Sequence, residues 1–143
     1  MEYKYKRYMK NTEIITLVNG GILNATAHSL PVEHFYKFVK WKRAVQKAYE
    51  AIQNAQRDFL AETGISMEDI QERKVDEKKA ERYNALNGAM MAEEVTMPAV
   101  GIPMGFYKGL YDENKTDKGD IFADIAVEEI VLNELFTEED GDE

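Results

Sequence analysis

The chain has 143 residues, of which 44% are hydrophobic and 31% charged, with a formal net charge of −9. That is the composition of one ordinary folded domain rather than a disordered segment. The absence of cysteine excludes disulfides, thiolate metal sites and cysteine nucleophiles, and two histidines leave little for a histidine-based metal centre.

Residues 1–50 hold nine basic and four acidic side chains, a sum of +5, and the remaining residues hold nine and 23, a sum of −14. A basic end and an acidic end suit self-association or a polar partner, or fold against each other and neutralise. No apolar run approaches the ~20 residues of a membrane span, and no signal-peptide core follows the N-terminus. The expected setting is therefore a cytoplasm, or a particle assembled in one, with no membrane contact.

In chain order, Tyr3, Tyr5 and Met9 alternate with basic residues, which predicts a short half-exposed strand. Tyrosines interleaved with lysines also suit contact with a partner, and a nucleic-acid arm is the lesser alternative. Asn11 and Thr12 are good N-caps for the apolar cluster Ile14, Ile15, Leu17 and Val18, which Asn19-Gly20-Gly21 closes. A short helix with a glycine stop is preferred over a hairpin turned at Asn-Gly. Ser29-Leu30-Pro31 then opens a second helix, with a hydroxyl cap and a proline in the first turn.

That second helix carries the strongest pattern in the chain. Phe38, Trp41, Val45, Ala48, Ile52, Ala55 and Phe59 are spaced alternately by three and four residues, an unbroken apolar seam. The helix should run from about Leu30 to Thr63 and stop at Gly64. It would be about 50 Å long at ~1.5 Å per residue, whereas a compact chain of this size has a radius of gyration of only about 14–15 Å. It must protrude, bend or pack in an elongated hairpin or oligomer. Lys40, Arg43 and Lys47 recur at spacings of three and four and form a basic stripe, expected beside the seam. With Trp41, Tyr3 and Tyr5 they are the candidate partner-binding residues. An acidic protein suits the stripe better than nucleic acid, given the overall negative charge.

Ser66 is placed to start a single turn over Met67–Glu72. Asp76 caps a helix over about Glu77–Glu93, which should return antiparallel along its predecessor and is weakened in the middle by Gly88. Val95 to Val100 is β-prone, and Pro98 confines it to an edge. The N-terminal strand and residues 94–107 are expected to form a small sheet. Gly101, Pro103 and Gly105 punctuate the adjoining stretch, Asp112 to Gly119 reads as a charged loop, and Ile121 to Phe136 as an apolar helix docked in the core. Residues 1–136 are thus one elongated domain, and residues 137–143, with five acids and no apolar side chain, a solvated tail.

Chemical motifs are sparse. Counted as a calcium loop, the segment from Asp112 puts Asp117 and Ala123 where glycine and glutamate belong, and a start at Asn114 recovers Gly119 but ends on Ile125. His28 and His34 are six residues apart with Glu33 between them. His34 also continues the seam backwards, which suggests a packed, hydrogen-bonded imidazole rather than a zinc ligand. No nucleophile elbow, phosphate loop, dinucleotide fingerprint or zinc-protease helix occurs. No enzyme, metal or cofactor is expected.

The order of features carries a resemblance. Asn11-Thr12-Glu13-Ile14-Ile15-Thr16-Leu17-Val18-Asn19-Gly20 is followed by Leu30-Pro31-Val32 opening the long helix, then by Ala55-Gln56-Arg57-Asp58-Phe59-Leu60 before Gly64. With Tyr83-Asn84-Ala85-Leu86 and the acidic, β-prone Glu93-Glu94-Val95-Thr96-Met97, this resembles a family of small tailed-phage proteins without assigned activity, over roughly residues 11–100. The chain departs from that pattern in the loop at 65–75 and the segment 101–120. The resemblance implies phage or prophage origin and carries over no catalytic residue. The expectation is an α+β, mainly α protein of host cytoplasm or virion. It would act by contact with itself or another phage or host protein, as a virion or assembly component. The alternative is an acidic inhibitor of a host nucleic-acid-handling or defence enzyme.

Overall fold

A computed structural model of the chain describes residues 6–116 and 119–137. The fold is α+β and mainly α. Strand β1 (Lys6–Lys10) leads directly into helix α1 (Asn11–Asn19), and a short 3-10 turn over Ile22–Asn24 leads to the long helix α2 (Val32–Thr63). Helices α3 (Met67–Gln71) and α4 (Glu77–Met91) bring the chain back, and β2 (Glu94–Pro98) pairs antiparallel with β1, with Met9 opposite Val95 and Lys10 opposite Glu94.

Beyond β2 the chain differs from the expected loop. Strand β3 (Ile102–Pro103), helix α5 (Tyr107–Glu113), the two-residue pair β4 (Lys115–Thr116) and β5 (Gly119–Asp120), helix α6 (Ile125–Leu135) and strand β6 (Phe136–Thr137) succeed one another. β3 does not join the N-terminal sheet. It pairs in parallel with β6, Ile102 opposite Phe136 and Pro103 opposite Thr137. Thr137, expected in the tail, belongs to a strand instead, and the rest of the expected tail lies outside the described residues.

One core joins these elements. Phe38, Trp41, Val45, Ala48 and Ile52 of the seam are all buried, and Met9, Ile14, Leu17, Met97, Leu110, Phe122, Val127, Val131 and Leu135 close over them from β1, α1, β2, α5, the 3-10 turn at 121–123 and α6. At ~1.5–3 kcal/mol per large apolar side chain removed from water, this cluster dominates the folding free energy. Trp41 is at its centre with no exposed surface, and its indole N–H has no hydrogen-bond partner. The hairpin partner grips less. α4 buries only Met90 and meets α2 through an edge-on Phe59–Tyr83 contact (6.4 Å between centroids) and a Gln56–Asn87 hydrogen bond of 3.1 Å.

The stops and starts obey the cap rules at several helix ends and break them where a tertiary contact claims the side chain. Gly64 closes α2 at φ 76°, with Ile65 N–H donating to Leu60 O at 3.0 Å. Ser66 and Asp76 accept the first N–H groups of α3 and α4 as expected. Asn11 does not cap α1, because its Nδ2 donates to Met90 O at 2.8 Å and ties the helix start to the end of α4. Ser29 does not cap α2, which starts two residues later than expected, at Val32 behind Pro31. Asp124 interrupts the expected C-terminal helix. Its carboxylate accepts from Ala126 N and Val127 N, so Ile121–Ala123 forms a separate 3-10 turn ahead of α6.

Two glycines make opposite predictions. A Cβ on Gly20 would lie 2.3 Å from Val127 Cγ2, whereas one on Gly88 of α4 would meet nothing within 4 Å. Gly20→Ala should cost ~1–3 kcal/mol by overpacking, and less when Val127 is also Ala. Gly88→Ala should stabilise by ~1 kcal/mol from helix propensity alone. Urea unfolding of the wild type, Gly20→Ala, Val127→Ala, their double variant and Gly88→Ala measures both, and equal signs would refute the packing account.

Candidate functional site: the outer face of the long helix

A helix of 32 residues can bury only one side against a domain of this size. At ~100° per residue the seam residues of α2 cluster on one side, and Val32, Tyr36, Lys40, Arg43 and Lys47 fall on a stripe about 160° away. The basic stripe is thus opposite the seam, not beside it. All five side chains are exposed, Val32 at 83% and Tyr36 at 62%. Lys40 Nζ sits 5.7 Å from the centre of the Tyr36 ring, a cation–π pair that fixes both on the surface. No carboxylate forms an ion pair with Lys40, Arg43 or Lys47 among the described residues.

Sequence reasoning placed Lys40, Arg43 and Lys47 together, and the fold keeps them together. It removes Trp41. A side chain with no exposed surface touches no partner, and the seam spacing is itself the reason, since Trp41 lies on the buried side of the same helix. Tyr3 and Tyr5 lie outside the described residues. Val32 and Tyr36 share the stripe with Lys40 at i, i+4 and i+8, and their signal in the sequence is an apolar residue on a polar face.

Lys42 separates from its basic neighbours. It turns inward, donates to Ala25 O at 2.7 Å and sits 5.8 Å from the Phe38 ring, and burial lowers its pKa. It fastens the segment before α2 rather than serving the surface.

The densest polar cluster joins α5 to the loop that precedes α2. Glu113, at the end of α5, accepts from Thr26 Oγ1 at 2.6 Å, from His28 N at 2.6 Å and from Ser29 N at 2.9 Å. Asn114 beside it accepts from Thr26 N and donates to Thr26 O and Leu110 O. Partial desolvation works against ionisation of Glu113, but the hydrogen bonds outweigh it and pull the carboxyl down to about 2. Its lone pairs are committed to the loop, so this is a structural clasp and not a general base. A second polar contact, from the Tyr107 hydroxyl to Glu128 at 2.5 Å, accompanies burial in raising the Tyr107 pKa above the ordinary phenol range.

The histidines stay apart in role. His28 stacks on Phe35 at 5.9 Å between centroids, and His34 tilts against Phe106 at 5.5 Å. His34 is packed as expected, but its buried Nδ1 has no hydrogen bond, contrary to the satisfied imidazole anticipated. No group of three metal-ligating side chains converges among the described residues. No protein-family model, curated protein or solved structure matches the chain.

The clasp has a pH signature. The folded-state pKa of Glu113 is about 2 against an ordinary 4.5, so its contribution is complete above about pH 4.5 and is lost as the pH falls towards 2. Glu113→Gln should cost ~1–3 kcal/mol at neutral pH and flatten the fall in stability between pH 4.5 and 2. Urea titrations at several pH values check it; an unchanged slope would show that the clasp is not charge-dependent.

Proposed function

We propose that the chain is a non-enzymatic bacteriophage protein that works through protein–protein contacts as a virion or assembly component, with the outer face of α2 as its contact surface. The phage attribution rests on the sequence resemblance. The contact surface rests on one observation: an aromatic and basic stripe, exposed along a helix whose opposite side holds the core. Folding gains nothing from placing Val32 and Tyr36 in water, and Tyr and Arg are the residue types that most often dominate binding energy at interfaces. Unpaired lysines and an arginine beside them suit an acidic partner surface and speed its approach. No helix of the described residues is long and apolar enough to cross a membrane.

The test is binding to purified phage particles and phage structural proteins by the wild type, Tyr36→Ala and Arg43→Glu. Both substitutions are at exposed positions and should leave the fold intact. Each should weaken binding by roughly tenfold or more and reduce the amount of the protein that mass spectrometry finds in virions. Wild-type protein that neither enters virions nor binds a phage protein overturns the proposal. A salt-sensitive complex with a host nucleic-acid enzyme that ignores both substitutions would favour the acidic-inhibitor alternative.

A further inference from the structure

A quarter-turn round α2 from the outer stripe, the helix borders an open groove of about 220 Å³. Ala48, Ala51 and Ala55 form its floor, Met90 and Val95 its wall, and the exposed Glu93 and Glu94 its rim. Beyond Glu33 in the first turn, the charges along this side of α2 are divided by position. Lys37 lies in its first half and Glu62 in its last, with Lys40, Lys47 and Asp58 at the edge it shares with the outer stripe, and the Glu93–Glu94 rim is level with the middle of the helix. All are exposed, and none forms an ion pair among the described residues.

We propose that this groove is filled by the same face of a second copy of the chain, the two α2 helices packed antiparallel about a two-fold axis. The proposal deepens the reading of the protein as one that acts by contact, and names the partner on this face. Charge complementarity selects the occupant and its direction. A two-fold axis reverses the partner helix, so the lysine half of each copy faces the acidic half of the other, whereas a parallel pairing would set like charge on like. The register is set by the positions. About a centre between Tyr49 and Glu50, Ala44 is opposite Ala55 of the second copy, Ala48 opposite Ala51, and Lys37 opposite Glu62. Side chains of one methyl at Ala44, Ala51 and Ala55, with the buried Ala48 beneath them, let the helix axes approach to the lower end of the ~8–10 Å packing range, while Lys40 and Lys47 reach towards the acidic groups that flank the groove.

Sedimentation and light scattering of the full chain over a wide concentration range test this. The wild type should show a reversible monomer–dimer equilibrium. Ala51→Arg should abolish close approach. Lys37→Glu and Glu62→Lys should each weaken the dimer about tenfold, because each opposed pair occurs twice in a two-fold interface. The double swap Lys37→Glu/Glu62→Lys should restore it. All these positions are exposed, so circular dichroism should be unchanged across the series. A chain that is monomeric throughout, a dimer indifferent to Ala51→Arg, or a double swap no tighter than the singles overturns the inference. A monomer that still needs Tyr36 to bind a phage protein loses only this inference. A swap-restored dimer that enters no virion and binds no phage protein keeps it and loses the virion reading instead.

Discussion

Everything else in this molecule depends on the burial of one side of α2. A helix of 32 residues is about 48 Å long, and its free energy as an isolated helix is marginal, so it persists because Phe38, Trp41, Val45, Ala48 and Ile52 leave water together. The remaining elements are arranged to remove them. α1 and the β1–β2 ribbon cover the middle of the seam and α4 its far end, and the second half of the chain supplies Leu110, Phe122, Val127, Val131 and Leu135 to the same cluster. The cost of this solution is an unpaired N–H on Trp41, a penalty of order 1–3 kcal/mol that the aromatic surface buried around it must exceed.

The polar contacts determine how the second half of the chain is held to the first. Thr26 to Ser29 has no regular structure of its own, and Glu113 and Asn114 satisfy its backbone and hydroxyl groups from α5. Lys42 does the same for Ala25 from α2, and Asn11 holds the end of α4. These groups lie at the edge of the core, where a hydrogen bond to a charged group outweighs the water it replaces. They explain why good capping residues were diverted. Asn11 and Ser29 are chemically suited to begin helices, but each is used where the chain has two distant segments to join.

That diversion marks the limit of what the sequence shows. The seam, the stop at Gly64 and the caps Ser66 and Asp76 were legible because each is local or periodic, and the pairing of residues 6–10 with 94–98 because both are β-prone segments with few other strands to join. Helix α5 was not, because Gly105 and Gly109 and the adjoining proline imitate a loop, and its stability comes from burying Leu110 and from a clasp whose partners are 84–88 residues away. The β3–β6 pair has two residues per strand, too few for any alternation to register. At the surface, the basic stripe was visible from its spacing, but Trp41 was assigned to both sides of one helix. Period alone resolves that conflict: residues 38, 41 and 45 share a side, and 36, 40 and 43 the other.

The same geometry constrains what the exposed helix can be for. A solvated helix face normally carries interspersed charges of both signs, which stabilise it through neighbours three and four residues apart. On the groove side of α2 they are sorted instead, with Lys37 and Lys40 in the first half of the helix and Asp58 and Glu62 in the last. The exception, Glu33, stands in the first turn, where an acid suits the helix dipole. Sorting sacrifices the local i, i+4 stabilisation and raises repulsion along each half. A surface arranged at the expense of its own helix gains only when something of opposite polarity lies against it. In the proposed contacts with other chains the sorted charge, the small side chains between its halves and the tyrosine on the outer stripe are the surface offered, and the buried seam supplies the rigidity that surface needs.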